Sequence, residues 1–495
     1  MLALWVYASY VMGLRTLKQG NQAESPNKTV LCVDLDGTLV KTDTLHELAL
    51  RYLKLHPVMG IVSLIMWALK GRNILKLELA RALTLDVRLL PYNEAVLDLL
   101  KAQRAEGRTI WLVTGAGQGL AESVAEHLGL FDRVIGTSDQ VNLIGNAKRA
   151  CLDDLCAENG YDYLGDSGAD IPVWRGAKSA LVVARGVQHL DSIGHSSSVR
   201  VVGTKEPKRW LKALRVHQWA KNALIFVPAL LAHRIFEGDV FIRSSAMFVA
   251  FSLVASGVYL LNDLLDLDAD RVHATKSRRP FASGNLNLLH GSFASIGLFV
   301  SGLSISLILG GAAALMLLGY VVLTTSYSFR LKRVFVLDIV LLSSLYTYRL
   351  MTGAVAGEVE ASFWLVGFST FIFLNLAIVK RVTELTELKR AGTQETTGRA
   401  YRVSDLPALS AALPATGAAS VLVLALYLNS DAVTKLYASP VVLWPVVLLA
   451  LYWVLRIGLL SVRGEIDSDP VAFALKDRVT YVVGALVLGL LALAS

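Results

Sequence analysis

From residue 223 onward the sequence is built of apolar runs, near 223–234, 245–261, 289–309, 312–328, 335–355, 362–379, 408–428, 440–457 and 479–494. Hydrocarbon offers no hydrogen-bond partners, so a chain that crosses it must satisfy its backbone internally, and a helix needs about 20 apolar residues to do so. The first run is short and the others are about long enough, so about nine transmembrane helices are expected. The loops alternate in charge. One side carries Lys205, Lys208, Arg209, Lys212, Arg215 and Lys221, then Arg271, Lys276, Arg278 and Arg279, then Arg330, Lys332 and Arg333, then Lys380, Arg381, Lys389, Arg390, Arg399 and Arg402. The other side has little beyond Arg234, Arg243 and Lys435. Short cytoplasmic loops retain Lys and Arg, so the rich side reads as cytoplasmic, in a bacterial inner membrane, with the C-terminus outside.

The first 200 residues are of another kind. They hold 21 Lys and Arg against 21 Asp and Glu, whereas residues 201–495 hold 27 against 19, the entire net charge of +8. Positive charge therefore belongs to the membrane loops, and no basic stripe on a soluble fold points to a nucleic-acid partner. Residues 1–28 form an apolar segment, Met1 to Gly13, and a polar linker. That segment is too short to span and has no convincing cleavage site, so it reads as an interfacial or docking helix. Residues 29–200 read as a soluble α/β domain, and 201–495 as an all-α polytopic membrane bundle. Short apolar runs at 29–33, 109–113 and 180–184, with 162–165, alternate with helical stretches near 92–106, 117–129 and 146–158, the pattern of a doubly wound sheet. A helical insertion at about 43–90 reads as a small cap, its apolar part Pro57–Leu69 either packed on the domain or lying on the membrane surface. Cys32, Cys151 and Cys156 show neither disulfide-framework nor zinc spacing.

Chemistry gathers at the ends of the strands, where open α/β sheets place it. Asp34-Leu-Asp36-Gly-Thr38 follows the first strand. Two carboxylates one residue apart on a turn divide labour: one attacks phosphorus, the other protonates the leaving oxygen. Thr114-Gly115 ends the second strand, where a hydroxyl and a backbone N–H hold phosphate oxygens. Lys148, near a helix start, neutralises phosphate charge. Asp166 and Asp170 follow a third strand and suit a hard cation. Singly these are ordinary turn residues; in this order they resemble the haloacid dehalogenase superfamily of phosphatases over about residues 29–185. The resemblance implies Asp34 as nucleophile, Asp36 as general acid/base, Thr114 and Lys148 as phosphate binders, and Asp34, Asp166 and Asp170 around Mg²⁺.

A second constellation, Asn262-Asp263-Leu-Leu-Asp266-Leu-Asp268-Ala-Asp270, stands at the cytoplasmic end of the second membrane helix. At 100° per residue Asp263, Asp266 and Asp270 share a face and Asp268 does not. Three stacked carboxylates beside a membrane repel unless cations neutralise them, and Mg²⁺ bridging a diphosphate does so. Lys276, Arg278 and Arg279 follow, with Lys221 and the Tyr327–Lys332 segment at neighbouring helix ends, as phosphate clamps or as positive-inside anchors. Lys380-Arg381-Val-Thr-Glu384 reads either as a second cation or phosphate site or as an amphipathic loop helix. NDxxDxxxD over 262–270 resembles the signature of the UbiA superfamily of intramembrane transferases, over about 205–495. Arg215-Val-His-Gln-Trp-Ala-Lys221-Asn222, Asp270-Arg271-Val-His273-Ala-Thr-Lys276, Arg279-Pro280 and Lys380-Arg381 with Glu384 resemble its polyprenyl-phosphate phosphoribosyltransferase branch more closely. The second DxxxD motif of aromatic prenyltransferases is missing, with Glu384 and Glu387 in that region.

Together the two resemblances imply a bifunctional, Mg²⁺-dependent membrane enzyme. Its bundle transfers 5-phosphoribose from phosphoribosyl diphosphate to a polyprenyl phosphate lipid, holding the diphosphate with Asn262, Asp263, Asp266, Asp270 and Glu384 around Mg²⁺ and Lys221, Lys276, Arg279, Tyr327, Lys332, Lys380 and Arg381 around phosphate. Its α/β domain removes a phosphate, including that of the product. The alternative is a prenyltransferase that joins an allylic diphosphate to an aromatic acceptor beside an independent phosphatase.

Overall fold

The computed structural model describes residues 29–138, 142–193, 198–203, 209–392, 399–466, 469–474 and 476–494. The expected helix at Met1–Gly13 and its linker lie outside the described residues. Contacts divide the chain into two compact units: one runs up to Leu214 and takes in Leu260–Ala294, the other comprises Arg215–Tyr259 and Ser295–Ser495.

The first unit is built on a six-stranded, all-parallel sheet in the order β3-β2-β1-β4-β5-β6. The strands are β1 (Val30–Val33), β2 (Ile110–Gly117), β3 (Arg133–Thr137), β4 (Tyr161–Gly165), β5 (Ser179–Val183) and β6 (Ser198–Val202). Alternating side chains feed two cores. Leu31, Val33, Ile110 and Leu112 pack on one face of the sheet. Cys32, Trp111, Val113, Tyr161 and Tyr163 pack on the other. A parallel sheet covered on both faces requires such near-continuous apolar strands. Strand order reverses between β1 and β4, and at that switch point the carboxyl ends of adjacent strands part to leave a crevice.

Between β1 and β2 three helices form the cap: α1 (Thr44–Leu55), α2 (Met59–Leu69) and α3 (Arg72–Ala82). Asp43 starts α1 by accepting from the N–H groups of Leu45 and His46, which satisfies two donors that a helix start leaves orphaned. Leu45, Leu48 and Leu79, with Leu64, Trp67 and Leu75 against them, form the cap's own small core. After β1 and the cap come α4 (Glu94–Ala105), α5 (Gln118–Leu128) and α6 (Asn146–Leu155).

Among the described residues seven helices are long and apolar enough to cross a membrane: Gly238–Leu265, Leu288–Leu309, Gly311–Phe329, Leu337–Ala356, Phe363–Arg390, Val403–Leu428 and Pro440–Arg463. A count of nine is not reached. The expected segment at 223–234 falls on a 3₁₀ stretch, Val216–Phe226, and a short helix, Val227–Leu231, with Pro228 in its first turn. Proline has no N–H to continue the preceding ladder, so the element changes there. The expected segment at 479–494 is the 17-residue helix Arg478–Ala494. Within the second unit Ile378, Val382, Leu385, Leu413 and Ile457 make one core, and Phe251, Val254, Leu317 and Tyr320 another. Gly353 lets Leu337–Ala356 close onto the 3₁₀ stretch, since a Cβ there would stand 2.0 Å from the Ile225 carbonyl oxygen. Small residues at such crossings are how membrane helices approach closely.

Candidate active sites

Asp34 leaves β1 at the switch point, with its N–H bonded to the Leu164 carbonyl of β4 at 2.9 Å. Gly37 makes the following turn at φ +76°, and a Cβ there would lie 2.1 Å from Asp166 Oδ2. The glycine therefore admits the Asp166 carboxylate beside the Asp34 loop. Asp34, Asp166 and Asp170 offer oxygens that all lie within 4.8 Å of one another. An all-carboxylate set of this kind fits Mg²⁺, a hard cation that takes oxygen ligands. Lys148 Nζ, 4% exposed, donates to Asp34 Oδ1 at 3.0 Å and to Tyr163 Oη at 2.7 Å, and stands 3.5 Å from Asp170 Oδ1. Tyr163 donates to Asp170 Oδ1 at 2.8 Å, while Ser167 binds Oδ2 through its N–H and its hydroxyl. Asp170 is thus fixed on both oxygens. Tyr163 is a member of the site that the sequence reading missed: it sits inside an apolar strand and reads there as core.

Electrostatics separate the two acids of the first motif. Burial pushes the Asp34 carboxyl up to about 6 against the opposing pull of Lys148. Burial, with Asp43 nearby, pushes Asp36 up to about 7. Asp36 Oδ1 is held by the Thr44 N–H at 2.8 Å. An acid poised near neutrality is suited to give and take a proton. Burial works against the Lys148 charge, but Asp34 and Asp170 outweigh it and hold the ammonium above its ordinary value. Thr114 is fully buried and its Oγ accepts from the Ala116 N–H at 3.0 Å.

These groups open into a cavity of about 1090 Å³, walled by Leu45, Leu48, Leu77, Leu83 and Leu85 from the cap side and by Asn287 and Leu288. Two cap cations, Arg72 and Lys76, also line it. Lys76 Nζ donates to the Gly115 carbonyl at 2.8 Å. The sequence reading did not single them out, although four-residue spacing on α3 puts both on one helix face.

The second acid motif is divided. Asn262 and Asp263 lie in the last turn of Gly238–Leu265, the helix breaks at Asp266, and Asp270 belongs to the short helix Leu267–Val272. The break keeps Asp263 and Asp270 together all the same: Arg279 Nη1 binds Asp263 Oδ1 at 3.0 Å and Asp270 Oδ2 at 2.8 Å. Lys54 binds Asp266 at 2.8 Å and Arg51 binds Asp268 at 2.5 Å. Arg271 binds Glu47 through both terminal nitrogens, at 2.9 and 2.6 Å. One face of α1 thus presents Glu47, Arg51 and Lys54, at positions i, i+4 and i+7, to the motif. Lys276 is exposed on the following 3₁₀ turn, and burial raises the Asp270 carboxyl above its ordinary value against the pull of Arg279 and Lys276.

In the second unit Lys221 pairs with Asp469, and Lys380 feels the charges of both. Asp469 was missed because it stands in a polar loop 248 residues away. Arg381, 1% exposed, binds Asp338 Oδ2 at 2.7 Å and also Glu384. Glu384 is further held by Arg399, and Tyr327 donates to Asp338 Oδ1 at 2.7 Å. Lys332 lies on the 3₁₀ turn Leu331–Arg333. Arg349, also missed, is 6% exposed and donates to Asn222 Oδ1 at 3.0 Å among the rings of Phe251, Tyr320 and Tyr346. Charged groups this deep in a membrane bundle are costly and mark functional sites.

Comparison with known proteins bears on both units. Residues 224–493 match the UbiA prenyltransferase family and residues 31–175 match haloacid dehalogenase-like hydrolase. The uncharacterized protein y4nM of Sinorhizobium fredii is 37% identical over 465 residues, 93% of this chain and 90% of that one. Nodulation protein NoeC of Azorhizobium caulinodans is 33% identical over 271 residues, 54% of this chain and 87% of that one. Decaprenyl-phosphate phosphoribosyltransferase of Corynebacterium glutamicum is 34% identical over 214 residues, 41% of this chain and 64% of that one. The chain belongs to the UbiA prenyltransferase family, with a haloacid dehalogenase-like hydrolase domain fused at its amino-terminal side.

Proposed function

We propose that the chain is a bifunctional enzyme of the bacterial inner membrane, its phosphatase domain cytoplasmic, that builds a lipid-linked phosphoribose and then removes its phosphate. The observation that carries this reading is that the Asp34/Asp166/Asp170 cluster and the acid motif of residues 262–270 belong to one compact unit. The named phosphoribosyltransferase relative supports the choice of donor. In the transfer step an oxygen of polyprenyl phosphate attacks C1 of phosphoribosyl diphosphate, the C1–O bond to the diphosphate breaks, and pyrophosphate leaves. In the first unit Asn262, Asp263, Asp266 and Asp270 are the metal-side candidates, and Lys276 and Arg279 the candidates that orient and neutralise phosphates. In the second unit Lys221, Tyr327, Lys332, Lys380 and Arg381 are the phosphate candidates and Glu384 the metal-side candidate. Mg²⁺, which Asp34, Asp166 and Asp170 would hold, would supply charge neutralisation at phosphate oxygens.

In the hydrolytic step an Asp34 oxygen attacks the 5-phosphorus, the bond to the sugar oxygen breaks, and Asp36 gives that oxygen its proton. Asp36 then takes a proton from water as the water attacks the aspartyl phosphate, releasing inorganic phosphate and restoring Asp34. Thr114, Gly115 and Lys148 hold the phosphate oxygens throughout. The test supplies detergent-purified protein with polyprenyl phosphate, Mg²⁺ and labelled phosphoribosyl diphosphate, with and without Asp34→Asn, and extracts lipid. Label in the lipid, with its 5-phosphate retained only in the variant, is the expected result. Label entering lipid only from an allylic diphosphate and an aromatic acceptor overturns the donor assignment.

A further inference from the structure

Helix α2 is apolar almost all round. Between Leu55 and Leu69 the only side chain with ionisable character is His56. Its Leu64 and Trp67 turn into the cap core, yet Val58, Met59, Ile61, Ile65, Met66 and Leu69 are 76, 69, 53, 55, 50 and 83% exposed. A soluble surface does not carry so dense an apolar patch without a partner. Eleven residues make a helix of about 16 Å, too short to cross a bilayer.

Two anchors within the same unit say what covers it. Lys54, at the end of α1, binds Asp266, which directly follows the span Gly238–Leu265. Met59 stands five positions after Lys54, a reach of at most about 18 Å. Leu288, the first residue of the next span, is itself a wall of the phosphatase cavity. The cap and the cavity therefore contact residues at the ends of two spans. Lys70, exposed directly after the helix, sits where a cation can meet anionic headgroups.

We propose that α2 lies in the bilayer surface and that the cavity beneath the cap receives a phosphomonoester carried by a membrane lipid. The apolar wall of Leu45, Leu48, Leu77 and Leu83 takes the lipid-proximal part, and Arg72 and Lys76 meet its anionic link. The substrate class rests on the phosphatase reading above; the lipid contact of α2 does not.

The experiment uses the full chain in nanodiscs of phosphatidylcholine and phosphatidylglycerol. Single cysteines introduced by Ile61→Cys and Ile65→Cys, with Lys101→Cys at an exposed position of α4 as control, carry an environment-sensitive fluorophore; the three native cysteines are buried. Blue-shifted emission quenched by spin-labelled lipid at 61 and 65, and not at 101, is expected. Water-like emission, or a shift that follows protein concentration and ignores lipid quencher (the sign of a second copy), overturns the membrane contact. In a second arm, Ile61→Glu with Ile65→Glu leaves hydrolysis of p-nitrophenyl phosphate within twofold of the parent. The same pair lowers hydrolysis of synthetic farnesyl-phosphoryl-5-phosphoribose in the nanodisc at least fivefold. Equal loss on both substrates, or no hydrolysis of the lipid by the parent while p-nitrophenyl phosphate is cleaved, overturns the substrate class. Loss of both hydrolyses in the parent would instead overturn the phosphatase reading and leave quenching to decide the contact.

Discussion

Glu47 and Arg271, 224 residues apart, form a two-pronged ion pair at 2.6 and 2.9 Å with 3 and 7% of their side chains exposed. The same Glu47 carboxylate accepts from Thr42 Oγ at 2.5 Å, two residues before the Thr44 N–H that holds Asp36. A short run of bonds thus joins the second acid motif to Asp36 of the first. Removing one partner of such a buried pair strands a charge and costs about 3–5 kcal/mol. Glu47→Gln or Arg271→Met should destabilise the first unit by that order in denaturant melts. The charge-exchanged double variant, Glu47→Arg with Arg271→Glu, should recover part of the loss. Additive losses would show the pair to be uncoupled.

Gly37 makes a sharper test of the first site. Alanine there brings a Cβ within 2.1 Å of an Asp166 oxygen and strains a backbone at φ +76°. Gly37→Ala should lower p-nitrophenyl phosphate hydrolysis at least about a hundredfold through displacement of Asp166. Gly129→Ala, also at positive φ but with open space around it, should keep activity within a few-fold. Equal activity of the two variants would show that the close approach of Asp166 carries no chemistry.

What the sequence revealed of the first unit follows from the sheet itself. β1, β2 and β5 are interior strands and read as apolar runs, whereas β3 and β6 did not register. Those two are the edges of the sheet, and Arg133, Thr137, Ser198 and Arg200 interrupt them, as polar residues on edges commonly do. Asp34 and Asp166 were legible because each stands one position past a strand end. The links from Glu47, Arg51 and Lys54 to Arg271, Asp268 and Asp266 were not, since no local pattern announces partners more than 200 residues away. The same holds for Asp469 beneath Lys221. The regular helix assumed across 262–270 hid the break at Asp266, which sends Asp266 to Lys54 while Asp263 and Asp270 share Arg279.

Lys76 tests the cap's share in binding. Burial and the neighbouring Arg72 hold its pKa below the ordinary lysine value, yet its ammonium reaches the Gly115 carbonyl of β2 beside Thr114, the proposed phosphate ligand. An ammonium that meets an anionic substrate through a charge-assisted bond contributes about 1.5–3 kcal/mol. Lys76→Met should therefore raise KM for p-nitrophenyl phosphate about tenfold or more while kcat falls less. A fall in kcat with KM unchanged would place Lys76 in the chemical step rather than in binding.

The first site also ties stability to pH and to metal. Burial raises Asp34 to about 6 and Asp36 to about 7, above the ordinary carboxyl value near 4. The metal-free folded state therefore holds these protons more tightly than the unfolded chain does. The corresponding stability is present at low pH and is lost as pH rises from about 4 through 7, the opposite of a salt-bridged carboxylate. Between pH 5.5 and pH 8 the melting temperature of the metal-free first unit should fall, by an amount on the order of 5 °C. A divalent cation binds the ionised carboxylates and competes with those protons. Millimolar Mg²⁺ should accordingly raise the melting temperature at pH 8 and barely move it at pH 5.5, and Asp34→Asn should weaken both trends. Scanning calorimetry of the EDTA-treated protein across this range decides the matter: a Mg²⁺ effect as large at pH 5.5 as at pH 8 would mean that the cation does not bind at Asp34, Asp166 and Asp170.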